Sequence, residues 1–323
     1  MKVLITGASG YLGGCISNFL ADLGHEVICH LRKIPLQSSQ WQKKMAKIIK
    51  GDLCDPATIE NIANQDFDAL IWTVSLNHKV SEKNIDKAIA VNVTPLWKVL
   101  YALSKLKKEI KVVYLSTQQV YGSLPNTRIS ENIKPSPQNN YSLTHLMCEN
   151  IIARFNNYEK MNCTSLRLSN GYGAPIFPGN DCWWLVVNEF AHMALESKKI
   201  NLFSDGRPQR DFIHVTDICR AMSVVLESPA DNLNFNVYNL GYGKAYTILE
   251  LAWIVADCYK EFCGEKIMVQ IKGISQIKPK GPIIPEKNTL EYDSKRINTL
   301  GFKPKTKMKD GIKNLFKFIE ANL

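Results

Sequence analysis

The stretch KVLITGASGYLG, Lys2 to Gly13, decides the fold. Its first half, Lys2–Thr6 running into Gly7, is a short, mostly apolar run of the kind that fills a buried strand. Its second half places glycines at 7, 10 and 13. Beyond them Leu12, Ile16, Phe19, Leu20 and Leu23 recur at helical spacing. A strand that turns on glycines into a helix is a phosphate-binding arrangement. Gly7 permits the tight turn, Gly10 lets the backbone approach a pyrophosphate, and Gly13 allows close helix–strand packing. The phosphates meet the positive end of the helix.

Working outward, the same alternation continues for 170 residues. Apolar strand-length runs lie at 26–31, 47–53, 67–74, 111–116 and 164–169, with helical patterns at 83–106 and from Asn140 to about Asn156. The fold class expected is α/β: a Rossmann-type doubly wound parallel sheet with helices on both faces. After Asn170 the rhythm breaks at Gly171, Gly173, Pro175, Pro178 and Gly179. The expected division is residues 1–170 as a dinucleotide-binding domain and 171–323 as a smaller mixed lobe for the substrate, some of whose segments return to the sheet.

Composition narrows the class. Of 323 residues, 45 % are hydrophobic, enough for a large core, and no run of 18 apolar residues exists. No membrane association is expected, and the N-terminus lacks the pattern of a signal peptide. Nine cysteines without a Cys-x-x-Cys pair fit buried thiols in a reducing cytoplasm and no metal site. Lys plus Arg exceed Asp plus Glu, 40 against 30, without a dense basic block. That excess reads as solvated helix faces or attraction of an anionic small ligand, and no nucleic-acid motif accompanies it.

The turn residues Gly7, Ser9, Gly10, Tyr11, Leu12 and Gly13 are therefore expected to bind a nicotinamide dinucleotide. The acidic residue usual at the end of the second strand is missing, and the sequence reads His30-Leu31-Arg32-Lys33. Arg32 suits the 2′-phosphate of NADP, so NADP is expected over NAD; the plainer alternative is that Arg32 only begins a solvated loop. Asp52 and Leu53 end the third strand where the adenine edge would lie, although Asp52 also suits the turn before Asp55-Pro56.

GASGYLG, GDL, LSTQQVYG, the Tyr141 helix, RLSNGYG and DGRPQRDFIHVTD, in that order, resemble the extended short-chain dehydrogenase/reductases, and among them the nucleotide-sugar epimerases, dehydratases and reductases. The resemblance covers nearly the whole chain. It implies a cytoplasmic enzyme that exchanges a hydride between a nicotinamide cofactor and a sugar carbon, often C4, of a nucleotide-diphosphate sugar. It implies work in polysaccharide or glycoconjugate synthesis, and a homodimer paired through the helices at 83–106 and 140–156. Carried over by position, Tyr141 is the acid/base and Thr117 its hydroxyl partner. Asn170 would bind the substrate diphosphate, with a loop cap as the alternative. Arg210 would bind the nucleotide phosphate or ribose, with an ion pair to Asp211 or Asp205 as the alternative. Trp183 or Trp184 would stack on the substrate or fill the lobe core, and Lys278 and Lys280 would stand in for a phosphate-binding arginine.

Two departures from the family pattern stand out. Its Tyr-x-x-x-Lys is here Tyr141-Ser-Leu-Thr-His145, in which the tyrosine and histidine share a helix face. A free histidine, with a pKa of about 6.5, is mostly neutral at pH 7. His145 is expected to hydrogen-bond the nicotinamide ribose as a weaker stand-in for lysine, or else merely to pack within the helix. The second departure is Gln118-Gln119, where the family's 4,6-dehydratases carry Asp-Glu. Amides can hold a sugar but exchange no protons near neutral pH, so dehydration is disfavoured and epimerisation or simple oxidoreduction retained. The alternative of another class is a protein that binds cofactor and sugar nucleotide with little turnover.

Overall fold

The computed structural model describes residues 1–106, 109–123, 127–233, 235–277 and 290–322. The first half alternates as the sequence predicts: β1 (Lys2–Thr6), α1 (Tyr11–Asp22), β2 (Glu26–Leu31), α2 (Ser39–Lys44), β3 (Lys47–Lys50), α3 (Pro56–Ala63) and β4 (Ala69–Trp72). The helical pattern expected over 83–106 is broken into α4 (His78–Lys83), α5 (Ile85–Ala88), a π-helical turn at Ile89–Val93 and α6 (Thr94–Lys105). Asn84 causes the first break: extended at φ −151°, it caps α5 through its side chain. There follow β5 (Lys111–Thr117), β6 (Arg128–Ile129), α7 (Asn140–Glu159) and β7 (Asn162–Leu168). Helix α7 starts at a capping box in which Asn139 and Ser142 each bond the other's backbone.

The remainder comprises β8 (Asn170–Tyr172), α8 (Val186–Ser197), β9 (Lys199–Leu202), β10 (Gln209–His214), α9 (Val215–Glu227), β11 (Val237–Leu240), β12 (Ala245–Thr247), α10 (Ile248–Cys263), β13 (Met268–Ile271), β14 (Ile274–Ser275), β15 (Glu291–Tyr292), α11 (Lys295–Asn298) and α12 (Met308–Asn322). Seven strands form one parallel sheet in the order β11-β7-β5-β4-β1-β2-β3. The chain therefore winds outward from β1 in one direction, then returns to β1's other side with β4. The crevice between the carboxyl ends of β1 and β4 is the switch point where open α/β sheets bind ligands.

Strand alternation divides two cores. Val3, Ile5, Val113 and Leu115 face one layer with α1 and α9, while Leu4, Leu70, Val112 and Tyr114 face the other with α3, α6 and α7. A third core joins α8, α10 and α12 in the lobe. Helix α7 is locked to the sheet by a buried ion pair: Arg167 Nε and Nη2 donate to Glu149 at 2.9 and 2.6 Å, and Ser116 Oγ donates to the same carboxylate at 2.6 Å. Among the described residues, no helix is long and apolar enough to cross a membrane.

Candidate active site

At the end of β1 the backbone turns at Gly7, whose φ is +75°. A Cβ on Gly13 would lie 2.3 Å from the Gly7 carbonyl oxygen, so only glycine fits against that turn. Gly10 precedes α1 and no side chain caps it, which leaves the helix's opening N–H groups for a ligand. These features fit a dinucleotide's pyrophosphate. Tyr11 turns aside to donate its hydroxyl to the Gly173 carbonyl at 2.9 Å, and Asn180 Nδ2 donates to the Ser9 carbonyl at 2.9 Å. Both bonds fasten the Pro/Gly loop after β8 over the glycine turn.

A cavity of about 180 Å³ opens from this turn toward the ends of β2 and β3, lined by His30, Arg32, Asp52 and Leu53 among others. His30 is buried, and desolvation pushes its pKa down to about 4. Arg32 is exposed. Asp52 stands close enough for the Arg32 charge to help hold its carboxyl down, although the Cys54 backbone N–H, which donates to it at 2.9 Å, is the larger cause. A carboxylate lining the same cavity as the arginine disfavours a 2′-phosphate at this end.

A second cavity, of about 310 Å³, shares Gly10, Thr73, Ser75 and Leu76 with the first and continues along β5 and α7. Leu12, Thr117, Gln118, Gln119, Tyr141, His145 and Asn170 lie on its wall. The structure thus brings nearly all the residues singled out in the sequence around one crevice. Burial pushes the Tyr141 hydroxyl up to about 12, with a contact to Thr117 opposing the shift. Thr117 Oγ1 also accepts from the Gln119 N–H at 3.2 Å.

His145 lies edge-on to Tyr141, ring centroids 4.5 Å apart, and is only 4 % exposed. Its Nδ1 is 2.6 Å from the Tyr114 hydroxyl and its Nε2 is 3.2 Å from Ser75 Oγ. Burial drives its pKa down to about 3, so the imidazole is neutral across the working pH range.

Asn170 donates to the Asp211 carbonyl at 2.8 Å, while the Asp211 carboxylate accepts from the backbone of Tyr242, Gly243 and Lys244. Arg210 is exposed and donates to the Gln209 carbonyl at 2.8 Å. It lines a separate hollow of about 420 Å³ with Asn170, Phe203 and Phe212. Trp183 packs in the lobe against Phe318, whereas Trp184 lines the Tyr141 cavity, edge-on to His78. Lys278 and Lys280 lie outside the described residues.

Sequence reasoning missed the segment after β4, where Thr73, Ser75, Leu76 and Asn77 line the crevice, and it missed Asp181 on the facing loop. Asn77 Nδ2 donates to Asp181 Oδ2 at 3.2 Å across the cavity mouth. The available signal was topological: β4 ends beside β1 at the switch point.

Comparison with known proteins completes the picture. The model of the NAD dependent epimerase/dehydratase family matches residues 3–241. A dTDP-D-glucose 4,6-dehydratase of Bos taurus is 24 % identical over 99 % of this chain and 89 % of its own. A UDP-glucose 4-epimerase of Mycoplasma genitalium is 25 % identical over 84 % of each chain. The solved UDP-glucose 4-epimerase of Thermus thermophilus, in complex with NAD, superposes with a TM-score of 0.80 at 22 % identity over the whole of both chains. The expectation of NADP from Arg32 is overturned: the family is NAD dependent, the Thermus structure holds NAD, and Asp52 puts a carboxylate on the same cavity wall as the arginine. With its glycine turn, its seven-stranded sheet and a family match spanning 239 residues, the chain belongs to the NAD-dependent epimerase/dehydratase family.

Proposed function

We propose that the protein is an NAD-dependent nucleotide-sugar 4-epimerase serving polysaccharide or glycoconjugate synthesis. The observation that carries this reading is the wall of the Tyr141 cavity: Thr117 and Tyr141 stand together there, and their neighbours are Gln118 and Gln119. NAD, when bound along the glycine turn, supplies a hydride acceptor that also returns the hydride. Thr117 and Tyr141 hold the sugar hydroxyl, and Tyr141 takes its proton and later gives it back. The two glutamines orient the sugar by hydrogen bonds. Neither amide can shuttle the protons that eliminating water demands, and this is the ground for reading an epimerase rather than a dehydratase. Arg210 and the hollow beside it provide a cation and apolar walls for the nucleotide.

A second reading has its own support. His145 is neutral and Tyr141 is hard to ionise, which favours a protein that holds cofactor and sugar nucleotide with little turnover. One experiment separates these readings. UDP- and dTDP-hexoses are incubated with the protein and NAD, and the products are resolved by chromatography and mass. The expected result is a C4 epimer of unchanged mass, with turnover reduced roughly 100-fold or more in Tyr141→Phe while NAD affinity is kept. A product lighter by one water would establish a dehydratase, and tight binding without any product would establish the binding protein.

A further inference from the structure

The family places an ammonium where this chain has a histidine, and the structure gives that histidine no free nitrogen. Nδ1 is engaged by the Tyr114 hydroxyl at 2.6 Å and Nε2 by Ser75 Oγ at 3.2 Å. The ring is almost wholly buried, whereas Ser75 is exposed to the crevice. Ser75 lines both the cavity of the glycine turn and the cavity of Tyr141. It therefore stands at the junction that a dinucleotide spanning the two cavities must cross. A histidine side chain also reaches less far from its helix than an extended lysine, and Ser75 fills the remaining distance.

The hydrogen bonds have a direction. Ser75 Oγ donates to the Leu76 carbonyl at 3.0 Å, and a carbonyl can only accept. With the serine proton committed there, Nε2–H donates to Ser75 Oγ, and the Tyr114 hydroxyl donates to Nδ1. One Oγ lone pair remains on this cavity-lining serine to accept from a ligand hydroxyl. Tyr114 lies on β5, His145 on α7 and Ser75 just beyond β4, so a row drawn from three elements ends on that one oxygen.

We propose that Ser75 is the residue that hydrogen-bonds the nicotinamide ribose, with His145 and Tyr114 as positioning residues behind it. This rests on the NAD reading above. The row supplies no charge. It replaces an ammonium's pull with a fixed oxygen, so it holds the cofactor in place without easing the ionisation of Tyr141.

The test is calorimetric titration of NAD, and of NAD analogues lacking the 2′- or the 3′-hydroxyl of the nicotinamide ribose. The proteins are the unaltered chain, Ser75→Ala, Ser75→Thr, His145→Ala and the Ser75→Ala/His145→Ala double variant. The unaltered chain should bind one deoxy analogue about 3- to 10-fold more weakly than NAD, the effect of one neutral hydrogen bond. Ser75→Ala should weaken NAD by the same factor and bind NAD and that analogue alike, while Ser75→Thr keeps the discrimination. His145→Ala should weaken NAD when Ser75 is present and add little when it is absent, a coupling that mere support of the fold would not give. Full discrimination in Ser75→Ala, with its loss in His145→Ala, would overturn the proposal and make the histidine itself the ribose partner. Failure of the unaltered, folded chain to bind NAD would instead overturn the cofactor reading, and this inference with it.

Discussion

Restoring a charge at position 145 tests the electrostatics of the site directly. In His145→Lys, an ammonium would sit about 5 Å from the Tyr141 hydroxyl, a distance in keeping with the 4.5 Å between the present ring centroids. At an effective dielectric near 20, a unit charge at about 5 Å favours the tyrosinate by roughly 3 kcal/mol, or about two pKa units. The direction is downward, because a cation stabilises the anionic form. Tyr141, held at about 12 by burial, would then titrate near 10. Tyr114 Oη and Ser75 Oγ, now bonded to the imidazole, are in place to accept from the ammonium and offset part of its desolvation. The assay is an ultraviolet titration of tyrosinate absorbance, which needs neither cofactor nor substrate. The Tyr141→Phe variants, with and without His145→Lys, serve as blanks. The expected difference spectrum has one tyrosine ionising about two units earlier with lysine present. Coincident curves for the unaltered chain and His145→Lys would refute the reasoning, as would an early titration that survives in the Tyr141→Phe blank. Once a substrate is identified, the alkaline rise of the rate should move down by the same interval.

Three further outcomes are expected. Glu149→Ala should destabilise the protein by about 3–5 kcal/mol in denaturant unfolding, because it strands a buried Arg167, whereas Glu149→Leu combined with Arg167→Met should cost clearly less. Acid should destabilise it early. His30, His145 and His214 are held by burial at about 4, 3 and 4, and they ionise near 6.5 when unfolded, so the stability of their neutral forms is complete above 6.5 and is lost as pH falls from there toward 4, and for His145 toward 3. At pH 5 the three together remove about 6 kcal/mol, and a calorimetric melting temperature flat between pH 7 and 5 would contradict this. Trp97, Tyr101 and Leu143 expose apolar surface on α6 and α7, and light scattering at micromolar concentration should give the mass of a homodimer; a monomer mass would count against pairing through those helices.

The parallel sheet was legible because β1 to β5 and β7 are apolar runs of strand length set between helical periodicities, and the glycine turn was legible because its spacing serves a backbone need. The break in the helix after β4 was not. Its cause is the cap formed by Asn84, a choice made by one side chain rather than by periodicity. The cofactor preference was misjudged because charge was counted along β2 alone, while Asp52 reaches the same cavity from β3. The surroundings of His145 were illegible for a related reason. Its partners Tyr114 and Ser75 are 31 and 70 residues away in the chain, and within β5 Tyr114 reads simply as another core aromatic.

The loop fastened over the glycine turn bears on residence time. The loop is bonded to that turn at two points, Tyr11 to Gly173 and Asn180 to Ser9. If departure needs that loop to swing away, both bonds must open, and release then belongs with loop and lid motions rather than free diffusion. In the epimerisation proposed above the cofactor must hand back the hydride it has just taken, and slow release would keep the sugar from being stranded half-reacted. The clasp would make NAD behave as a resident prosthetic group, carried through many turnovers, rather than as a co-substrate exchanged at each one.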